Sequence, residues 1–258
     1  MKKKEILCIK LGGSVITNKL IPYSPQIQEI TNIAHILKKI SSPLIISHGS
    51  GSFGHTSAQK YGGKHGYLHR KGLAKVARDA REINHIVMEV LLQAKLPVFS
   101  FSPLSFLISD TGIVHEQFLK PLLLALDQGL IPVIYGDIIL DTVWKTTIVS
   151  GERILSIICQ FLQKNNYQID KIIQLCNTDG VYDNEGNIIP QITQEIFPKI
   201  KRVITGSFST DVTGGMYEKV TNALVTAKYG IPTVIINGTK QGQLINCLKG
   251  EKTGTIIF

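Results

Sequence analysis

Three short glycine-bearing segments, each close to a lysine or histidine, are the residues here whose types and spacing could do chemistry. They are Lys10-Leu11-Gly12-Gly13-Ser14 with Lys19 beyond it, Ser47 to His55 (with Gly49, Gly51 and Gly54), and Asp211-Val212-Thr213-Gly214-Gly215-Met216 with Lys219 beyond it. Glycines let backbone N–H groups approach an anion closely, lysines add charge, and a histidine adds a titratable donor. The chemistry this suggests is phosphate binding or transfer. Gly49 to Gly54 also matches a dinucleotide fingerprint, which needs a helix opening at the loop and a second strand ending in an acidic residue about twenty residues on. Instead, Gly62, Gly63 and Gly66 break the chain, a long helical pattern begins at Leu73, and no strand candidate appears before Pro97. No Walker A sequence occurs either. A fourth segment, Leu175 to Asp183, reads as a strand running into an Asp- and Gly-rich turn around Asp179 and Gly180.

The elements that must position these residues are legible as alternation. Apolar β-branched runs read as strands at Ile6–Leu11, Pro43–Ser47, Pro97–Phe101, Ile131–Tyr135, Lys171–Leu175, Thr233–Ile236 and Thr255–Phe258. Helical periods lie near Pro25–Ile40, Leu73–Leu96, Gln117–Gln128, Glu152–Asn165, Gly215–Tyr229 and Gln241–Leu248, and Asp137–Thr147 reads as a hairpin. This predicts βαβ units: an α/β fold with a mostly parallel central sheet covered by helices on both faces. Ligands in such sheets gather at the carboxyl ends of the strands, where the glycine-rich loops fall.

Composition narrows the partners. The 258 residues carry 28 Lys and Arg against 19 Asp and Glu, a net charge of +9, without the basic, aromatic-interleaved stripes of a nucleic-acid binder. A small polyanionic substrate accounts for the excess better. Cys8, Cys159, Cys176 and Cys247 form no CxxC pair, which implies a reducing, cytoplasmic setting and no zinc site. The apolar stretch Pro121–Leu140 carries Asp127 and Asp137, so no membrane span is expected. With no linker or repeat, residues 1–258 read as one domain, with a soft lobe boundary near 145–151.

Taken together, Lys10 to Ser14 with Lys19, Gly49 to His55, Ser150-Gly151-Glu152, Asp179-Gly180-Val181-Tyr182 and Asp211 to Lys219 resemble the amino acid kinase superfamily nearly end to end. Within it they are most similar to the isopentenyl phosphate kinases, and His55, closing its loop, is the narrower marker of the branch that phosphorylates phosphate or phosphonate groups. The resemblance implies a three-layer αβα sandwich, a homodimer, and Mg²⁺-ATP as phosphoryl donor. It implies an amino-terminal acceptor lobe and a carboxyl-terminal nucleotide lobe. Lys10, Gly12, Gly13 and Ser14 would then cradle ATP phosphates, and Lys19 and Lys219 would neutralise charge during transfer. Gly51, Asp179 and Gly215 would complete the nucleotide side, while Ser50, His55 and Gly151 would hold the acceptor. In this family the long helix walls the acceptor's tail, which assigns Ile83, Ile86, Val87 and Val90 to an apolar groove.

Three residues depart from the family's pattern: Ser50 for a glycine, Glu152 for an aspartate, and Asn177 where an aspartate is common. A fosfomycin-type phosphonate kinase shares His55 and stays open as a rival. A non-catalytic nucleotide-binding protein on the same scaffold is a second.

Overall fold

The computed structural model describes residues 5–206 and 215–258. The chain runs through β1 (Ile6–Leu11), the one-turn α1 (Gly13–Ile16), α2 (Ile27–Leu37), β2 (Leu44–His48), α3 (Gly51–Tyr61), a ribbon of β3 (Gly62–Gly63) and β4 (Gly66–Tyr67), and α4 (Arg70–Gln93). It continues with β5 (Val98–Phe101), β6 (Leu107–Asp110), β7 (Ile113–Gln117), α5 (Lys120–Asp127), β8 (Ile131–Tyr135), β9 (Asp137–Asp141), β10 (Lys145–Val149), and α6 (Gly151–Lys164). The remainder is β11 (Ile169–Cys176), β12 (Gln191–Ile192), α7 (Phe197–Gly206), α8 (Gly215–Ala227), β13 (Thr233–Asn237), α9 (Gln243–Leu248) and β14 (Thr255–Ile257).

Eight strands form one sheet in the order β12-β14-β13-β11-β1-β2-β8-β5, parallel except where β13 meets β14. β1 and β11 pair over their whole length, so both halves of the chain share one sheet across the expected lobe boundary. A second sheet, β10-β9-β6-β7, contains the expected 137–147 hairpin together with β6 and β7, which the periodicity did not reveal.

Strand parity decides where the chemistry emerges. Successive side chains of a strand point to opposite faces. Leu7, Ile9 and Leu11 of β1 pack with Ile30, Ile33 and Leu37 of α2 and with Ile83, Val87 and Leu91 of α4. Ile6 and Cys8 pack on the other face with Ile154, Leu155, Ile158 and Leu162 of α6. Lys10 has the parity of Ile6 and Cys8, so at the carboxyl end of its strand it emerges on the α6 side.

Two expectations are corrected. α3 opens inside the glycine loop at Gly51, so that condition of the dinucleotide fingerprint is met; the second main-sheet strand it requires does not follow, since only the short β3-β4 ribbon and then α4 come next. The apolar stripe of α4 is core: Ile83 and Val87 are fully buried, Val90 nearly so, and Ile86 packs against the same cluster.

Candidate active site

The loops following β1, β2 and β8 meet backbone to backbone. The Gly12 amide donates to the Leu175 carbonyl at 2.8 Å, and a Cβ at Gly12 would lie 2.5 Å from that same oxygen. Because the obstacle is backbone, only glycine fits. Gly51 starts α3 with φ +49°, and a Cβ there would lie 2.1 Å from Thr17 Oγ1. Thr17 uses that hydroxyl twice, donating to the Gly13 carbonyl (2.7 Å) and accepting from the Ser52 amide (2.9 Å), which fixes the first loop to the start of α3. Gly151 opens α6 where a Cβ would meet the His48 carbonyl at 2.5 Å, and Ser47 Oγ donates to the Gly151 carbonyl at 2.9 Å. Ser150 caps α6 by accepting from the Arg153 amide.

A small cavity at this junction is lined by Lys10, Lys19 and Lys219, by Glu152, by His55, and by glycines and serines of the loops, among them Gly12, Gly13, Ser14, Ser50, Gly51 and Gly151. Lys10, 2% exposed, forms an ion pair with Glu152. Burial pushes the Glu152 carboxyl up, but the Lys10 and Lys219 ammoniums and the Lys10 hydrogen bond outweigh it, so Glu152 sits below the usual carboxylate range and stays ionised. Lys219 donates to the Gly215 carbonyl at 3.3 Å. Among the described residues that line this cavity, three ammonium groups stand with one carboxylate, a composition that suits a polyphosphate. Beneath them His48 is fully buried, with Nδ1 2.9 Å from the Gly49 carbonyl and Nε2 3.1 Å from Asn84 Oδ1. Burial pushes its pKa down, with the Lys10 charge helping, against the hydrogen bonds to Gly49 and Asn84.

A second cavity of about 150 Å³ opens beside the first. Ser50, His55, Ile148 and Ser150 line both, while Gly54, Ala58, Gly62, Lys64 and Glu218 belong to the second alone. Burial pushes the Glu218 carboxyl up, and the Glu152 charge adds to this against Lys64, Lys219 and Arg153. His55 thus stands on the partition between a cationic and a mainly apolar space.

The predicted residues Lys10, Gly12, Gly13, Ser14, Lys19, Ser50, Gly51, His55, Gly151 and Lys219 therefore converge on one cavity. Gly215 adjoins it through Lys219. Asp179 lines neither cavity; it accepts from Asn237 Nδ2 (2.9 Å) and pairs with Lys240 (3.2 Å), and those two bonds lower its pKa. Asp211–Gly214 lie outside the described residues. The α4 stripe lines neither cavity; the apolar wall comes from Ala58 and Ile148. Sequence reasoning passed over Gly136, Ile148, Lys64 and Glu218, and named Ser150 only as part of the Ser150-Gly151-Glu152 motif. Gly136 had a signal, since it follows a predicted strand as Gly12 and Gly49 do. Among the described residues no group of three or more His, Cys, Asp or Glu is placed to hold a metal ion.

Residues 5–237 match the model of the amino acid kinase family. The isopentenyl phosphate kinase of Methanocaldococcus jannaschii is 32% identical over 96% of this chain and 97% of its own. That of Methanothermobacter thermautotrophicus is 29% identical over 98% of both. A solved isopentenyl phosphate kinase structure superposes with a TM-score of 0.80 at 26% identity, covering 98% of this chain and 100% of the other. With the cationic loop junction at the strand ends, these matches place the chain in the amino acid kinase family, alongside its isopentenyl phosphate kinases.

Proposed function

We propose that this protein transfers the γ-phosphoryl group of ATP to isopentenyl phosphate, giving isopentenyl diphosphate. The observation that carries the reading is the partition at His55. Two adjoining cavities, one cationic and one mainly apolar, share Ser50, His55, Ile148 and Ser150, as an acceptor with a phosphate head and a short apolar tail requires. An apolar cavity of about 150 Å³ holds a guest the size of benzene, so a five-carbon tail fits.

A phosphate monoester oxygen is already ionised, so the reaction needs no strong general base. Catalysis reduces to in-line positioning and stabilisation of the charge spread over the transferring group. Lys10, held by Glu152, and the loop amides around Gly12, Gly13 and Gly51 receive the ATP phosphates. Lys19 and Lys219 neutralise the transferring group, and Ser14, Asp179 and Gly215 complete the nucleotide side. His55 donates a hydrogen bond to the acceptor phosphate, with Ser50 and Gly151 beside it. Magnesium, held with the ATP phosphates in the cradle of Lys10, Gly12, Gly13 and Ser14, would supply further positive charge. The amino-terminal lobe thus holds the acceptor and the carboxyl-terminal lobe the nucleotide, within the single 1–258 domain.

The reading includes a homodimer: β5 is one of the two edge strands of the main sheet, with Phe99 exposed on it and exposed Phe118 and Leu124 among the other apolar residues of the chain. Sedimentation as a monomer would remove that part. Four buried free thiols fit a cytoplasmic protein.

The test is ADP release with isopentenyl phosphate, dimethylallyl phosphate and fosfomycin as acceptors. Turnover is expected on the first; turnover on fosfomycin alone would move the assignment to the phosphonate kinases, and none on any acceptor despite ATP binding would end it. His55→Ala should lose acceptor phosphorylation while ATP affinity changes little. A large loss of ATP affinity would put the loop on the nucleotide side instead.

A further inference from the structure

Asp79, on α4, is a fully buried carboxylate that the phosphoryl-transfer chemistry does not use. It accepts from the Tyr23 hydroxyl at 3.0 Å and pairs with Lys75 and Arg78. Tyr23 lies four residues beyond Lys19, in the loop that leaves α1 and returns to α2. Its backbone is left-handed, at φ +55°, a conformation that a bulky aromatic residue adopts only where its surroundings impose it. Its ring packs edge-on against Phe53 of α3, with centroids 5.5 Å apart, and Lys75 Nζ stands 4.9 Å from the ring centroid. Phe53 is two residues before His55.

The loop's base is held independently. The Asn18 amide donates to the Ser24 carbonyl (2.9 Å), the Ser24 amide to Ser52 Oγ (3.2 Å), and Gln26 Nε2 reaches the carbonyls of Ser14, Val15 and Thr17. Leu20 and Ile21, next to Lys19, are exposed, and Tyr23 is the next large apolar side chain of the loop, with its ring against Phe53. Asp79 is buried, but its cationic partners Lys75 and Arg78 reach solvent, and ion pairs with solvent-screened partners contribute little to stability. Its use here has a better account in placement than in stability.

We infer that Tyr23 and Asp79 are positioning residues: Asp79 clamps Tyr23 between α4 and Phe53, and this sets Lys19 and His55 relative to each other across the site. The inference rests on the assignment of Lys19 and His55 to phosphoryl transfer. It gives the amino-terminal half of α4 a part in catalysis that the apolar stripe further along the helix does not have.

Two conservative variants test it, Tyr23→Phe, which keeps the ring on Phe53 and removes only the hydroxyl, and Asp79→Asn. With isopentenyl phosphate as acceptor, kcat should fall roughly tenfold or more, as for a displacement of the reacting groups by a fraction of an ångström to an ångström. The KM for ATP should stay within about twofold. Amide hydrogen exchange over residues 17–24 should speed up while β1 and α2 keep their protection. In a Lys19→Ala background, Tyr23→Phe should cost no further activity, because its effect acts through the lysine. Unchanged exchange in that segment, an unchanged kcat, or the same fold-loss with and without Lys19 would overturn the clamp. Should Asp79→Asn fail to fold, Tyr23→Phe alone decides. Absence of turnover in the unmodified protein would count against the kinase reading, and the exchange measurement would still judge the clamp.

Discussion

Asp137 offers a prediction whose size can be worked from its surroundings. It follows Gly136, a lining residue of the cationic cavity, and it begins β9. Its Oδ1 accepts from the Ile138 amide at 2.7 Å, while Oδ2 is buried with no hydrogen-bond partner among the described residues. Burial raises its pKa from 3.8 to about 8, against the Ile138 bond and the Arg81 charge. Between about pH 4 and pH 8 the folded protein therefore holds a proton that the unfolded chain has released. The stability from this group is complete below about pH 4 and is lost as pH rises towards 8. At about 1.4 kcal/mol per pH unit, the loss between pH 5 and pH 7 is about 3 kcal/mol. For a chain of this size that corresponds to about 5–10 °C in Tm. Asp137→Asn keeps an acceptor for the Ile138 amide and cannot ionise. The difference in Tm between variant and parent, followed from pH 4 to 9, should widen in favour of the variant up to about pH 8 and then level off. A difference that stays flat across that window would refute the assignment of a buried, neutral acid. Activity near pH 7 should change little, since an uncharged acid beside the polyphosphate cavity is close to what the amide supplies, whereas an ionised one would repel the phosphates.

Two further outcomes follow from contacts in the site and the core. A Cβ on Gly54 would lie 2.2 Å from Ser50 Oγ, so Gly54→Ala should displace the turn that carries His55 and lower activity by about tenfold or more. Ser50→Gly in the same protein should restore it, and acceptor assays of the single and double variants check this. Ile83→Ala should cost about 2–5 kcal/mol in denaturant unfolding while the preference between isopentenyl phosphate and longer-tailed monophosphates stays unchanged; a shift in that preference would return the α4 stripe to the substrate.

Much of this fold was readable because strands buried on both faces announce themselves. β1 and β8 have the bounds their apolar runs predicted, and β2, β5, β11, β13 and β14 were located to within two residues, but the two-residue edge strand β12 was not predicted. α3 escaped because its first turn is written in glycine and serine, poor helix formers, and its apolar face is little more than Phe53. β6 escaped because part of its pairing lies with β9, about thirty residues further on, and β7, paired with β6 alone, because it is mostly exposed and carries no apolar run. In the site, lysine and glycine types at strand ends were legible locally, but their partners were not.

The sequence by itself determined which loops could hold a phosphate, because backbone approach needs glycine at particular places and that need is local. It also determined the parity that turns Lys10 towards α6. Only the tertiary structure decided that Glu152, 142 residues away, receives that lysine, and that the α4 stripe is core while Asp79 on the same helix reaches Tyr23. Helical spacing reports that a face is apolar; what covers that face depends on where the sheet lies.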